Sequence, residues 1–236
     1  MTDSKEIKAR LISKIQRTPM IISFRFSLDE KISFLPGQFM EVIFDEVNKD
    51  LRHWLSFSSS PNKDYIEFTK RISGSLFSEK LNALNSGDTV LLKLPLGRCC
   101  LGINDKKIVF LTGGIGITPA ISIIEDIVEK NQDTNVVLFY SNKTEAEVAF
   151  KDELFAWENS NNNIRVIYTI TENVSGNDKY IQGRISSDLI KDNLSDLNER
   201  MFFIFGPPLM VEALKNMLLA MGIDKSKIEI ERFIGY

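Results

Sequence analysis

Cysteine and histidine are almost absent from this sequence of 236 residues. Its two cysteines, Cys99 and Cys100, are adjacent, so they cannot form a disulfide framework and are too few to hold an iron–sulfur cluster. The single histidine, His53, argues against a histidine-rich metal site. We therefore expect no bound metal and a reducing, cytoplasmic location.

Long apolar runs and a surplus of positive charge are also missing. No stretch approaches the roughly 20 apolar residues that span a membrane, and the first residues, MTDSKEIKARLISKIQ, lack the apolar core of a signal peptide. The 29 basic and 32 acidic residues give a net charge of −3. We therefore expect neither a membrane span nor a nucleic-acid partner, since a general nucleic-acid binder needs a basic surplus.

The hydrophobic pattern changes near Asn104, which predicts two domains, 1–104 and 105–236. Before Asn104, short apolar runs separated by turn residues are typical of a β-sandwich or β-barrel. After Asn104, predicted strands and helices alternate, which indicates a parallel sheet in an α/β domain. The predicted strands are 21–26, 39–44, 65–69, 89–94, 107–111, 135–140, 163–170, 201–205 and 228–233, and the predicted helices are 76–84, 117–130, 145–158, 185–193 and 207–221.

The two halves also differ in charge. Residues 1–104 contain 15 basic and 12 acidic residues, a net charge of +3, whereas residues 105–236 contain 14 and 20, a net charge of −6. Such an asymmetry can orient a charged partner, although a difference of this size also arises by chance.

The strongest motif is Thr112-Gly113-Gly114-Ile115-Gly116-Ile117-Thr118-Pro119, between a predicted strand and a predicted helix. Glycines let a dinucleotide pyrophosphate approach the backbone, and a helix N-terminus favours its negative charge. Thr118 and Pro119 suit the cap and first turn of the helix. Tight strand–helix turns also use glycine for structure alone, but the context favours nucleotide binding.

Two other segments contain residues that are suited to ligand binding. Phe205-Gly206-Pro207-Pro208 also follows a predicted strand and opens a helix, so it would face the same crevice as the glycine motif, unless it is an ordinary turn. The segment Arg52-His53-Trp54-Leu55-Ser56-Phe57-Ser58-Ser59-Ser60-Pro61 offers a guanidinium and hydroxyls suited to a phosphate and a heterocycle, or else it is a serine-rich strand edge.

In this order, these segments resemble the ferredoxin–NADP reductase family of flavoproteins over about residues 12–236. The remaining matches are Pro36-Gly37-Gln38-Phe39, Gly74-Ser75-Leu76-Phe77, Gly87-Asp88, Pro95-Leu96-Gly97 and Glu231-Arg232-Phe233-Ile234-Gly235-Tyr236.

The resemblance implies two domains: an N-terminal antiparallel six-stranded β-barrel that binds FAD, and a Rossmann-like α/β parallel sheet that binds NADH or NADPH. It implies an enzyme, a flavin-dependent NAD(P)H oxidoreductase in which a hydride passes between the nicotinamide and flavin N5 at the domain junction. The family members that this sequence resembles are single chains without a fused ferredoxin domain. The electrons would therefore leave to a separate carrier.

The resemblance also assigns the FAD contacts. Ser56 matches the serine near flavin N5, a catalytic position, and Leu55 matches the Tyr or Phe that usually packs on the flavin face. Either Arg52 or His53 would meet the FAD phosphates, because Arg52 lies four residues before Ser56 and His53 occupies the aligned arginine position. The other expected FAD contacts are Trp54, Thr69, Lys70, Gly74 and Ser75.

The nucleotide contacts follow in the same way. Gly206 and Pro207 would lie beside the nicotinamide, and Phe205 stands where the family often has cysteine. Glu231 would orient the hydride-transfer site. Phe233 or Tyr236 would cover the second flavin face, with Tyr236 as a catalytic candidate or else a frayed terminal residue. The residues expected to hold the NAD(P) pyrophosphate are Gly113, Gly114, Gly116, Thr118 and Pro119.

The nucleotide preference and the partner depend on less specific features. Glu172 follows the third α/β strand and would repel the 2′-phosphate of NADPH, which favours NADH slightly, although Lys143, Lys179 or Arg184 offer opposing charge. The expected partner is a small electron carrier, such as ferredoxin or flavodoxin, or an oxygenase component. The alternative is an electron-transfer or nucleotide-sensing subunit of a larger complex without independent catalysis.

Overall fold

The structure, a computed structural model, describes residues 4–102, 105–172, 176 and 178–233. These residues form two compact units. One contains the described residues of Met1–Leu101 and of Thr118–Glu129, and the other contains those of Gly102–Ile117 and Lys130–Tyr236. None of the helices in these ranges is long and apolar enough to cross a membrane.

The first unit is built on six antiparallel strands that pair in the order β4-β3-β6-β1-β2-β5. An isolated antiparallel bridge between Phe57, which follows β4, and Phe68 of β5 joins the two edges of the sheet. The sheet therefore closes as the expected barrel. The strands are β1 (Lys5–Thr18), β2 (Ile21–Leu28), β3 (Phe39–Ile43), β4 (Arg52–Ser56), β5 (Ile66–Arg71) and β6 (Thr89–Leu96).

Alternating strand residues build the barrel core. The rings of Phe24 and Phe26 lie 5.6 and 5.2 Å from the ring of Phe68. Helix α1 (Leu76–Ala83) adds the fully buried side chains of Phe77 and Leu81 to this core. The sequence pattern does not predict β1, because its charged residues obscure an amphipathic strand that pairs with both β2 and β6.

The second unit contains a six-stranded parallel sheet with the order β10-β9-β8-β7-β11-β12. The chain runs outward from β7 through β8 and β9, and β11 then pairs with the other side of β7. The strand order thus reverses between β7 and β11, the position at which open α/β sheets bind ligands. The strands are β7 (Lys107–Gly113), β8 (Asn135–Asn142), β9 (Ile164–Ile170), β10 (Tyr180–Gln182), β11 (Met201–Gly206) and β12 (Ile228–Arg232).

The helices of the α/β half are α2 (Thr118–Glu129), α3 (Lys151–Ser160), α4 (Ser187–Asn193) and α5 (Pro208–Ala220). The helix predicted at 145–158 is wrong at its start. A short 3-10 turn occupies Glu145–Glu147, and α3 begins only at Lys151. The break occurs because Phe150 is left-handed, with a φ of 57°, and Ala149 N donates to the buried Tyr140 hydroxyl at 3.3 Å.

Candidate functional site

Two basic side chains meet at the ring of Phe77 in the first unit. The imidazole of His53, on β4, lies 4.4 Å from the ring between centroids, and Lys70 Nζ, on β5, lies 5.9 Å from the ring centroid. Lys70 is only 7% exposed, and no carboxylate pairs with it in the described part of the chain. Because a buried cation needs a compensating charge, this position fits an anionic ligand.

The same surroundings lower the pKa values of both groups. Burial lowers the pKa of Lys70. Burial, and then the charge of Lys70, lower the pKa of His53, against a smaller opposing effect of Asp50. Both shifts oppose the charged forms. An anion bound between the two groups would reverse them.

The first turn of α1 supplies further anion-binding groups. Ser75 caps the helix, since its hydroxyl accepts from Ser78 N at 3.3 Å, and the hydroxyls of Ser73 and Ser78 lie 3.2 and 3.1 Å from it. The N–H groups of a first helical turn have no acceptor within the helix and favour negative charge. Gly74 precedes this turn, and no non-neighbouring atom of the described residues lies within 4 Å of the position that a Cβ would occupy there. These residues fit the phosphates of FAD.

Arg52 lies apart from this cluster. Its guanidinium donates to both carboxylate oxygens of Glu41, at 2.9 and 3.0 Å, and also to the backbone oxygen of Glu46. Strand alternation places Trp54 on the same face as Arg52, where it is 69% exposed, and places His53 and Leu55 on the other face. Of the two phosphate candidates, His53 is therefore the one beside Lys70.

Thr69 also points away from Lys70. Its hydroxyl lies 2.7 Å from the hydroxyls of both Ser23 and Ser58. The structure thus places Thr69 in a buried polar network on the outer face of β5, and Lys70 on the face of Phe77. Leu55 packs against the barrel core.

Ser56 ends β4 and is 7% exposed. No side-chain hydrogen bond of Ser56 is present within the described ranges. The Pro36–Phe39 turn braces this strand end: Phe57 N donates to Gln38 O at 3.1 Å, and the Gln38 amide donates to Gly97 O at 3.1 Å. Gly37 has a φ of 93°, and a Cβ there would lie 2.3 Å from Cys99 O, so only glycine fits this turn.

In the second unit, the two glycine turns lie against each other. A Cβ on Gly116 would be 2.7 Å from Phe205 O and 2.8 Å from the Cα of Gly206. Both turns follow the carboxyl ends of adjacent strands, β7 and β11. The structure therefore brings Gly113, Gly114 and Gly116 together with Gly206 at the reversal of strand order. Thr118 and Pro119 begin α2, which follows the first turn in the chain.

Buried polar atoms without partners mark the same edge of the sheet. Thr112 Oγ1 on β7, both amide atoms of Asn142 on β8 and Thr169 Oγ1 on β9 have no hydrogen-bond partner in the described part of the chain. Three adjacent strands carry these atoms near their carboxyl ends. Buried polar groups are usually satisfied, so this edge fits a polar ligand such as a dinucleotide.

Glu231, on β12, lies opposite Phe205 in the sheet register. Burial raises the pKa of Glu231 to about 7. Its Oε2 is buried and accepts no hydrogen bond from any residue that the structure describes. Glu231 is thus a carboxyl group that can change protonation near neutral pH.

The C-terminal aromatic candidates are placed only in part. Phe233 N donates to Gly206 O at 3.0 Å, so the chain after β12 is anchored at the second glycine turn. Tyr236 lies outside the described residues, and its assignment stays a prediction.

The residues expected to influence nucleotide preference lie after β8 and β9. Glu172 is exposed, and its backbone N donates to Lys143 O at 2.9 Å, so these two residues of opposite charge are neighbours. The ammonium of Lys179 lies 4.9 and 5.0 Å from the ring centroids of Phe155 and Tyr168.

Two contributors are missing from the sequence prediction. Glu41 binds Arg52, and Met210 packs against both Gly113 and Gly206, where a Cβ would meet its Sδ or Cε at 2.6 and 2.5 Å. Met210 follows Pro207 by three residues, a spacing that points it back over the turn; no local signal indicates Glu41. Within the described ranges, no group of three His, Cys, Asp or Glu residues could hold a metal.

Comparison with known domain families gives two matches. Residues 8–100 match the oxidoreductase FAD-binding domain, and residues 110–216 match the oxidoreductase NAD-binding domain. Together the two matches cover both units of the structure.

Similar proteins include a flavohemoprotein of Oceanobacillus iheyensis, 27% identical over 95% of this chain and 58% of the relative. They also include the anthranilate 1,2-dioxygenase electron transfer component of Acinetobacter baylyi, 25% identical over 87% of this chain and 60% of the relative. The chain thus spans less than two thirds of these relatives. A crystal structure of a ferredoxin NADP+ reductase from Neisseria gonorrhoeae with bound FAD and NADP matches with a TM-score of 0.81 and 25% identity, covering 97% of this chain and 98% of the other.

Proposed function

This chain belongs to the ferredoxin–NADP reductase-like family of flavin-dependent NAD(P)H oxidoreductases, and we propose that it passes a hydride between NAD(P)H and flavin N5. One observation carries the proposal. The chain has two separate sites of dinucleotide character, the buried Lys70 beside His53 at the start of α1 and the paired glycine turns at β7 and β11. We assign the FAD site to residues 1–104 and the NAD(P) site to residues 105–236.

In this proposal, Lys70, His53, Gly74 and Ser75 hold the FAD phosphates. Bound FAD supplies the redox chemistry, since it accepts a hydride and passes electrons on. Ser56 offers its hydroxyl to N5 from the rigid end of β4. Leu55 contributes an apolar surface for the flavin ring. Arg52 supports β4 through Glu41.

The glycine turns hold the pyridine dinucleotide. Backbone N–H groups at Gly113, Gly114 and Gly116 bind its phosphates, and Gly206 and Pro207 leave room for the nicotinamide. Glu231 orients the nicotinamide end. Because its pKa is raised to about 7, Glu231 is protonated on the acid side of neutrality and there can donate a hydrogen bond.

The acceptor in this proposal is a separate electron carrier or an oxygenase component, and the location is cytoplasmic. A relative of this chain is the electron transfer component of anthranilate 1,2-dioxygenase, which supports an oxygenase-type acceptor. It equally supports the second candidate function, an electron-transfer subunit of a larger complex. Co-purification of a partner in fixed stoichiometry would favour the second.

NADH is the favoured nucleotide. Glu172 would repel a 2′-phosphate, and Lys143, whose backbone oxygen accepts from Glu172 N, is the neighbouring residue of opposite charge. Glu172→Arg is expected to raise the ratio of NADPH to NADH activity, measured as kcat/KM, by about tenfold.

The test is anaerobic spectroscopy of the purified protein saturated with FAD. We expect NADH to bleach the flavin absorbance quickly and NADPH more slowly. A protein that binds no FAD would overturn the oxidoreductase proposal. A flavin that neither nucleotide bleaches would favour electron entry from a partner instead.

A further inference from the structure

The segment Ser58–Lys63, which we name the strap, follows Ser56 by one residue and crosses to α2. Its first serines are buried, with Ser58, Ser59 and Ser60 exposed by 3%, 1% and 0%. Glu67 on β5 anchors the beginning: its backbone oxygen accepts from Ser58 N at 2.8 Å, and its carboxylate accepts from the Ser58 hydroxyl at 3.0 Å. The strap therefore starts from the barrel wall.

Helix α2 holds the rest of the strap. Glu125 Oε2 accepts from Ser60 N at 2.6 Å, and the Ser122 hydroxyl donates to Ser59 O at 2.7 Å. Further along, Asn62 donates to Asp126 at 3.0 Å and to Glu129 at 3.2 Å. Lys63 forms ion pairs with both Glu125, at 3.2 Å, and Glu129.

The sequence of α2 carries a signal for this contact. Ser122, Glu125, Asp126 and Glu129 recur at the spacing of one helix face, in a helix that is otherwise rich in isoleucine and valine. Burial raises the pKa of Glu125 in spite of the bonds from Ser60 and Lys63. Burying a carboxylate costs desolvation free energy, which an apolar residue at this position would not cost. We infer that the contact with Ser60 is the reason for a glutamate here.

The contact links two functional segments. Ser56 and the strap belong to the flavin segment, and α2 begins at Thr118 and Pro119, directly after the first glycine turn in the chain. Glu125 lies two turns further along the same helix. Hydride transfer is sensitive to displacements of about 1 Å, so a fixed distance between Ser56 and the start of α2 matters for its rate.

We propose that Glu125 is a positioning residue that holds the strap on α2 and thereby fixes Ser56 relative to the nucleotide-binding end of that helix. This inference rests on the proposed function. Glu125 touches neither dinucleotide; it acts through the Ser60 amide and, with Ser122, through the Ser59 carbonyl. Its loss is therefore expected to slow the reaction more than it weakens binding.

The test uses Glu125→Gln, with Glu129→Gln as the matched control. Both variants remove one negative charge from the same helix and from the ion pairs with Lys63. Only Glu125→Gln changes the carboxylate that accepts from the strap backbone at Ser60 N, so the control isolates that bond from the side-chain contacts of the strap. In single-turnover reduction at saturating NADH, we expect Glu125→Gln to be slowed at least about tenfold, with the NADH Kd changed by less than about threefold. For Glu129→Gln, we expect both the reduction rate and the NADH Kd to stay within about twofold of the values of the unaltered protein.

A second variant separates positioning from general destabilisation. Ser122→Ala removes only the bond to Ser59 O. We expect slower flavin reduction with retained NADH and FAD affinity, but with a smaller loss of rate than in Glu125→Gln. Hydrogen exchange of the Ser60 amide gives a readout without the flavin, and it is expected to accelerate in Glu125→Gln.

The outcomes are distinct. Reduction of the Glu125→Gln flavin at the unaltered rate would overturn the positioning role while leaving the proposed function intact. A loss of NADH affinity equal to the loss of rate would also overturn it. If neither nucleotide bleaches the flavin of the unaltered protein, the proposed function fails, and the positioning role fails with it.

Discussion

Lys70 and His53 carry the clearest indication that this structure binds an anionic ligand. Lys70 is buried beside a second ionisable base, with no carboxylate to pair with it in the described part of the chain. Arg52, the stronger phosphate ligand by residue type, is already bound to Glu41. We therefore propose an imidazole and an ammonium, rather than a guanidinium, as the phosphate ligands of this chain.

If His53 holds an FAD phosphate as proposed, its imidazole makes FAD binding sensitive to pH. Burial and Lys70 lower the pKa of His53 below its ordinary value of 6.5, so His53 is largely neutral at pH 7 in the protein without a ligand. A phosphate favours the protonated form, so FAD binding takes up a proton and weakens as pH rises. We expect about tenfold weaker FAD binding at pH 8 than at pH 6, measured by titration of flavin fluorescence.

The control variants are His53→Arg and Lys70→Met. His53→Arg keeps a charge at all pH values, so its FAD affinity is expected to be flat between pH 6 and 8 and higher at pH 8. Lys70→Met is expected to weaken binding while keeping the pH dependence. An unchanged pH dependence in His53→Arg would assign the titration to another group.

Glu231 predicts a pH dependence of stability. Its folded pKa of about 7 lies above its ordinary value of 4.5, so the folded protein binds the extra proton between these pH values. Its contribution to the free energy of unfolding is therefore present at low pH and lost as pH rises through 7. We expect Glu231→Gln to be more stable than the unaltered protein at pH 8 by about 1–3 kcal/mol, and this difference to fall below about 1 kcal/mol at pH 5.

Urea denaturation of the two proteins at both pH values measures this difference. Glu229→Gln, an exposed carboxylate two residues earlier on the same strand, is the control, and we expect little change at either pH. Equal stability of Glu231→Gln and the unaltered protein at pH 8 would show that Glu231 is not desolvated in solution.

Single residues are predictable from the sequence where their role depends only on neighbouring residues in the chain. Gly113, Gly116 and Gly206 follow from local spacing, because a glycine turn is a local structure, whereas Ser75 follows only from the family resemblance. The pairing of Arg52 with Glu41 was not predictable, since it depends on the register of β3 on β4. A local pattern does not fix such a register.

Among the elements, the turn between β7 and α2 leaves the least room for a side chain, at Gly116. The atoms nearest to a Cβ on Gly116 would be backbone atoms, Phe205 O and Gly206 Cα, which cannot move as a flexible side chain can. Gly116→Ala is therefore expected to separate the two glycine turns. We expect at least about tenfold slower reduction of the flavin by NADH, with unchanged FAD affinity as the internal control. Reduction at the unaltered rate would show that the turns need not touch.

The long alternating elements were the predictable ones. Helix α2 and the described parallel strands other than β10 lie close to their predicted ranges, because buried apolar runs and helical spacing are strong signals. The sequence pattern does not predict β10, which is only three residues long. Strand β1 was missed because both of its faces carry charges, and the start of α3 was misplaced because Phe150 takes a left-handed conformation that its residue type disfavours. The strap on α2 was missed because it is a non-local contact.

At the scale of the whole molecule, the two halves of the sequence carry net charges of opposite sign. Residues 1–104 carry a net charge of +3 and residues 105–236 a net charge of −6. An acidic electron carrier would be attracted to the first half. We expect its reduction, at carrier concentrations below saturation, to slow as salt is added, because screening weakens the attraction.

A neutral small-molecule acceptor serves as the control for this salt series. Its reduction is expected to change much less over the same salt range, since no charged surface needs to meet it. Carrier reduction that is independent of salt, or that becomes faster, would count against an acidic partner.

The central claim is that this chain transfers a hydride from a nicotinamide to its own flavin. The most direct measurement is anaerobic single-turnover reduction of the FAD-saturated protein with NADH and with NADH deuterated at the transferred position. We predict that the flavin is bleached by both and more slowly by the deuterated form. A bound flavin that keeps its absorbance in the presence of saturating NADH and, separately, of saturating NADPH would contradict the account.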